Sequence, residues 1–242
     1  MTSPGQIKRC KGCALTKPVR PSRKIPPRKG RLQGLSQNEL AYTRLKERVT
    51  TLAYKPGDYL NTANLMNELA FGRTPINHAL HRLSNEGLVQ IIPRKGVMVA
   101  PLSIDSALEL IDVRLANESL CARLAAARIT GSDLDQLTAL AQRFDDAVLR
   151  RDMDQVINAD RLFHEQIALA ARNQILTEIL KVLHARTQRF WTISLAAAGH
   201  LAEVQAEHRL IIDALARGDA AAVVSAVENH VLSFKRALLH NR

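Results

Sequence analysis

The chain is poor in aromatic residues, cysteine and long apolar runs, and its first 34 residues contain no acid at all. Phe, Trp and Tyr together make up 4% of the 242 residues, which argues against a strand-rich fold built on stacked rings. Three cysteines cannot form a disulfide framework, so a reducing cytoplasm is the expected compartment. No segment approaches the roughly 18–20 consecutive apolar residues that a spanning helix needs, so no membrane partner is expected. The basic N-terminus has no apolar stretch behind it and is not a secretory signal.

What is present is basic charge and enough apolar material for a core. Lys and Arg number 34 against 23 Asp and Glu, a formal +11, and 46% of the chain is hydrophobic, which excludes wholesale disorder. The charge is unevenly placed. Residues 1–34 hold ten Lys/Arg and no acid, with five of the nine prolines and four of the eleven glycines. No helical or strand period runs through them, and they read as a disordered basic arm. Residues 35–100 carry eight basic and five acidic residues; residues 101–242 carry sixteen and eighteen. Within the arm, Cys10-Lys11-Gly12-Cys13 supplies half of a four-ligand zinc site with no second pair to complete it, and two free thiols is the simpler reading. The alternative for the whole arm is that translation starts downstream of Met1.

The order of elements after the arm is specific. Leu40, Leu45, Val49 and Leu52 recur near 3.6 residues and predict a helix over 40–53, stopped by Lys55-Pro56-Gly57-Asp58. A short helix follows over about 62–70. Arg73-Thr74-Pro75 then opens a third, with Pro75 in the first turn, Ile76, Leu80 and Leu83 facing inward, and Gly87 as its terminator. Leu88–Ile92 and Val97–Ala100 are β-rich runs on either side of Pro93-Arg94-Lys95-Gly96, a hairpin with a basic tip. Three helices and a two-stranded wing make a winged helix-turn-helix, in which the N-terminal side chains of the second helix of the pair meet base edges in the major groove.

The stretch KPGDYLN…LMNELAFGRTPINHALHRLSNEGLVQIIPRKGVMVA resembles the DNA-binding domain of the GntR family of bacterial transcription regulators over about 60 residues. The resemblance implies major-groove contacts by Arg73 and Thr74, and minor-groove or backbone contacts near Lys95 and Gly96. It also shows a departure: where the family commonly has an Arg and a Glu, this chain has Asn77 and His78. Arg pairs bidentately with guanine and Asn with adenine, so the operator preference shifts with Asn77. His78 serves equally as a base contact or as an exposed side chain.

From Ser103 the pattern is helical throughout. Six helices are expected at about 103–129, 132–150, 152–172, 174–198, 200–217 and 219–240, with Ser132 as an N-cap and Asp135 as its acid at the third helical position. The expected fold is therefore mainly α: arm 1–34, winged helix-turn-helix 35–101, and an all-α six-helix bundle 102–242 for effector binding and dimerisation.

Asp160 and His164 stand one turn apart, and His208 and His230 sit among apolar residues on the last two helices. One carboxylate and three imidazoles suit a first-row divalent ion such as Zn²⁺ or Ni²⁺, although by spacing alone ordinary core histidines fit too. The Asp-x3-His pair, with a His about 44 residues on and another 22 later, is similar to the FCD ligand domain of the FadR subgroup. That resemblance implies metal binding by Asp160, His164, His208 and His230, and the helix count resembles the VanR-type branch. Arg114, one turn before Glu118, matches an Arg-x3-Glu pattern in that domain and implies a bidentate fork for a small carboxylate effector. An ordinary intrahelical surface pair accounts for it as well. Arg186, Arg189 and Trp191 are further candidates for the cavity wall.

The resulting expectation is a homodimeric, metabolite-responsive regulator of a double-stranded DNA operator, more a repressor than an activator. A metal-dependent hydrolase is the first alternative. Three His and an Asp can leave a coordination position open to water, but Glu165 and Glu207 diverge from the ligands by about 100° on their helices, and no catalytic residue is expected. The second alternative is a nonspecific nucleic-acid binder acting through the arm.

Overall fold

The computed structural model describes residues 35–194 and 200–240, so the basic arm and its Cys10–Cys13 pair lie outside the described residues. Helix α1 (Gln37–Thr50) begins where Ser36 accepts a hydrogen bond from the Glu39 amide, 3.3 Å away, and buries Leu45 and Val49. Asn61 caps α2 (Thr62–Leu69) in the same way, its Oδ1 accepting from Ala63 and Asn64 at 2.9 and 3.2 Å. Helix α3 (Arg73–Asn85) buries Ile76, Ala79, Leu80 and Leu83. With Leu45, Val49 and Leu88 these side chains form the first core, each buried Leu, Ile or Val contributing about 1.5–3 kcal/mol.

The wing has three strands, one more than the sequence indicates. Strands β1 (Tyr59–Leu60), β2 (Val89–Ile92) and β3 (Gly96–Val99) run in the order β1-β3-β2, all antiparallel, with Val89 opposite Val99 and Ile92 opposite Gly96. A two-residue strand carries no periodicity to read. The Pro-Gly-Asp turn delivers it: Gly57 N–H donates to the Val99 carbonyl at 3.0 Å, and Val99 N–H donates to the Asp58 carbonyl at 2.9 Å.

Helices α4 (Ile104–Arg128), α5 (Gly131–Leu149), α6 (Met153–Ala170), α7 (Gln174–Ser194), α8 (His200–Ala216) and α9 (Ala220–His240) make the six-helix bundle. Its core includes Ile111, Leu137, Phe144, Phe163, Leu180 and Ile211, with Ala122 and Ala125 letting α4 approach its neighbours closely. The cap of α5 corrects the expected Ser132–Asp135 pair. Thr130 is the N-cap and Asp133 the acid in a complete capping box, because Gly131 starts the helix rather than breaking it. Asp133 also takes hydrogen bonds from Gln166 and Arg172, tying α5 to the end of α6.

From Leu35 onward the chain forms one contact unit, and α7 is where its two halves meet. Ala185 is buried in the winged domain's core, Arg186 Nε donates to the Glu86 carbonyl at 2.7 Å, and Arg189 donates to the Ala100 carbonyl.

Candidate metal centre and nucleic-acid interface

Three helices of the bundle aim ligand atoms at one buried point. Asp160 and His164 come from α6, His208 from α8 and His230 from α9, and one ligand atom from each lies within 4.8 Å of the others. His164 Nε2 and His230 Nε2 are 3.0 Å apart, His208 Nε2 is 3.4 Å from Asp160 Oδ1, and His164 Nε2 is 3.8 Å from the same oxygen. A tetrahedral ion with ligand bonds of 2.0–2.1 Å has edges of about 3.3–3.4 Å, so the observed spacing is that of a coordination shell. Asp160 Oδ1 and both His208 nitrogens are buried without a hydrogen-bond partner among the described residues. Leaving such groups unpaired costs about 1–3 kcal/mol each, which a cation would offset.

The surroundings prepare these groups to ligate. Burial alone would raise the Asp160 carboxyl, yet His164, His208 and His230 around it hold it below the usual carboxylate range. Burial pushes the His164 imidazole well down and that of His230 to about 3, so both are neutral at pH 7, the form that binds metal. Glu207 Oε2 lies 2.8 Å from His230 Nδ1, which holds the ring so that Nε2 is turned to the other ligands. Ser233 Oγ donates to the same carboxylate oxygen at 3.0 Å, and burial raises the Glu207 carboxyl to about 7. Phe163 stacks on His208, ring centres 4.1 Å apart, and fixes its plane.

A cavity opens beside this cluster. Its volume is about 30 Å³ of space for the centres of water molecules, and its walls include Arg114, Asp160, His164, His184, Thr187 and Trp191. Arg114 is 3% exposed, and its Nε donates to Glu118 Oε1 at 2.6 Å. The intrahelical pair therefore exists, but in the interior rather than on the surface. Burial opposes the charge of Glu118, but Arg114 first and then His184 and His164 hold its carboxyl well below the usual range. Arg161 stands at the cavity rim, paired with Glu165 at 2.5 Å.

Sequence reasoning missed His184, Thr187 and Gln188, which line the cavity, and chose Arg186 and Arg189 instead. The structure places Arg186 away from this cavity, against the Glu86 carbonyl, because residues two positions apart on a helix point in nearly opposite directions. Trp191, one of the expected wall residues, does line it. The spacing of His184, Gln188 and Trp191, at i, i+4 and i+7, was the available signal. Glu207 behaves as its sequence position suggests in one respect: it supports His230 from behind and does not line the cavity.

On the winged domain, Arg73, Thr74, Asn77 and His78 are all exposed, on the side of α3 opposite its buried Ile76, Ala79 and Leu80. His81, one turn beyond Asn77, is exposed too and was not singled out from the sequence. Lys95 and Gly96 are exposed at the wing tip beside Arg94. Among the described residues no helix is long and apolar enough to cross a membrane.

Comparison with known proteins bears on both regions. Residues 37–99 match the model for bacterial regulatory proteins of the gntR family, and residues 109–233, about half of the chain, match the FCD domain. The HTH-type transcriptional regulator McbR of Escherichia coli is 29% identical over 160 residues, covering 66% of this chain and 72% of that protein. The HTH-type transcriptional repressor RspR of the same organism is 26% identical over 194 residues, covering 80% and 85%. The solved structure of E. coli McbR/YncC superposes with a TM-score of 0.78 at 25% identity, covering 86% of this chain and 99% of that one. A GntR regulator of Rhodococcus sp. RHA1 shares the fold, with a TM-score of 0.72 at 20% identity over 86% of this chain and all of the other. The chain belongs to the GntR family of DNA-binding transcriptional regulators, in the FadR subgroup that carries an FCD domain.

Proposed function

We propose that this regulator is a metabolite-responsive repressor whose helical domain binds a divalent ion through Asp160, His164, His208 and His230 and senses a small organic acid there. The observation that carries the reading is that Asp160 Oδ1 and the His208 nitrogens, buried and without a hydrogen bond among the described residues, sit inside a four-residue cluster of coordination size. Zn²⁺ or Ni²⁺ fits a set of three imidazoles and one carboxylate. Such an ion, when bound, supplies a Lewis-acidic anchor for a carboxylate. The chain's own contribution is the buried Arg114 fork on the adjacent wall, with Trp191, Ile157 and Phe234 as apolar surface that selects for ligand shape.

Operator contacts fall to Arg73, Thr74, Asn77 and His78 in the major groove and to Lys95 and Gly96 at the wing. A homodimer matches the two-fold symmetry of operators read by helix-turn-helix proteins. Exposed Val113, Ala116 and Leu120, spaced three and four residues apart on α4, supply an apolar seam for it. The acid acts by its differential affinity for the DNA-competent and DNA-incompetent arrangements. Neither glutamate next to a ligand in sequence is placed as a general base: Glu165 is engaged by Arg161, and Glu207 faces the far side of His230.

The test is fluorescence anisotropy of the DNA upstream of the protein's own reading frame, titrated with zinc-loaded protein at moderate salt. Specific binding that is weakened by candidate carboxylates, and insensitive to them in Arg114→Gln, is expected. Absence of specific binding by a folded sample would contradict the reading.

A further inference from the structure

Helix α7 presents the cavity on one side and the DNA-binding domain on the other. His184, Thr187, Gln188 and Trp191 line the cavity. Arg186 sits about 200° around the helix from His184, and Arg189 the same from Thr187; with Ala185 between them they engage the winged half. Both arginine contacts fall at structurally sensitive places. Glu86 is the C-cap of α3, the helix whose other end carries Arg73 and Thr74, and its carboxylate is already held from α1 by Tyr42 at 2.6 Å and Lys46 at 2.7 Å. A guanidinium against its carbonyl also meets the negative end of the α3 dipole. Ala100 directly follows β3, the wing's central strand.

The fit at Arg186 is close. Gly87, which follows Glu86, has φ +69°, a backbone conformation that favours glycine, and a Cβ there would overlap the Arg186 guanidinium where it now stands. Arg189 is 2% exposed, its Nε has no hydrogen-bond partner, and no carboxylate reaches it among the described residues. A buried cation held only through a carbonyl makes this joint sensitive to small displacements. On the cavity side, about 30 Å³ holds roughly two water molecules. An organic acid bound there lies against α7, which supplies His184, Thr187, Gln188 and Trp191 to the cavity wall.

We propose that Arg186 and Arg189 are positioning residues for the recognition helix, fastening the C-terminal end of α3 and the end of the wing to α7, so that filling the cavity shifts α3 through them. The inference rests on the reading of this cavity as the effector site. It assigns to α7, rather than to the chain linking the halves, the transmission of the signal. Arg186 thus acts on DNA through α3 rather than on the effector.

A double-mutant cycle tests this without any ligand. Among the described residues Thr187 Oγ1 hydrogen-bonds only to the Leu183 carbonyl of its own helix, so Thr187→Leu fills the cavity from the α7 side. Backbone hydrogen exchange of the full-length chain is read over residues 82–90, with α5 and α6 as internal reference. Thr187→Leu is expected to change exchange at Glu86–Leu88 by on the order of fivefold, and to change it less than twofold in an Arg186→Ala background. Arg186→Gln is the substitute background where the alanine variant does not fold. An equal effect in both backgrounds overturns the proposal, as does no effect of Thr187→Leu in a protein with native exchange in α5 and α6. Melting with added Zn²⁺ reads the metal assignment separately: no shift in the wild type refutes that assignment, while the cycle still decides the role of Arg186.

Discussion

His164 Nε2 and His230 Nε2 face each other at 3.0 Å although 66 positions separate them in sequence, and neither ring is charged at neutral pH. Two imidazoles turned nitrogen to nitrogen, with an ionised Asp160 beside them, form a poor core and a good ligand set. In the presence of Zn²⁺ at a hundred times its dissociation constant, the wild-type chain should gain about 2.7 kcal/mol of stability. His230→Ala and His208→Ala should lose most of that gain, read as the shift in melting temperature on adding the metal.

Arg114 and Glu118 form a buried ion pair on α4, and His184 of α7 also lies against the carboxylate at 3.2 Å. Removing the cation strands a buried anion, so Arg114→Met should cost about 3–5 kcal/mol in urea unfolding. Arg114→Met combined with Glu118→Gln should recover a large part of it. A double variant as unstable as the single one would mean that shape, and not charge, is what Arg114 supplies.

Acid stability should report on Asp133. The groups that hold its carboxyl below the ordinary value, against the effect of burial, are Thr130 and Arg172. A depressed folded value means that the unfolded chain binds protons more readily, so stability rises with pH through this range. The contribution is fully present above the unfolded carboxylate value of about 3.9 and is lost as pH falls below it. Melting temperature against pH should therefore fall less steeply below pH 5 in Asp133→Asn than in wild type, from a lower starting point at pH 7.

On DNA, Arg73→Ala should weaken operator binding by about 10- to 100-fold if it makes a base-edge pair, and Asn77→Ala should relax the preference at one base position. Deleting residues 1–34 should leave specific affinity at physiological salt nearly unchanged. A loss as large as that of Arg73→Ala would move the recognition into the arm.

Much of this was legible in the chain because the relevant signals are local. The i, i+4 spacing of Asp160 and His164, the glycine after α3 and the Arg-Thr-Pro opening all act over a few residues, and each stands where expected. Strand β1 was not legible, since Tyr59 and Leu60 become a strand only by pairing with residues 97 and 98. Thr130 was missed as a cap because Gly131 resembles a break until the helix is seen to begin on it. The misplacement of Arg186 has another root: the i, i+4 and i+7 spacing of His184, Gln188 and Trp191 marks the cavity side of α7, and Arg186, two positions from His184, lies off that row.

The most direct measurement is metal content by elemental analysis after zinc loading and desalting, with wild type and His208→Ala compared. About one divalent ion per chain in the wild type, and little or none in the variant, is the predicted result. A wild-type protein that retains no metal and shows no melting shift with Zn²⁺ or Ni²⁺ would contradict the account.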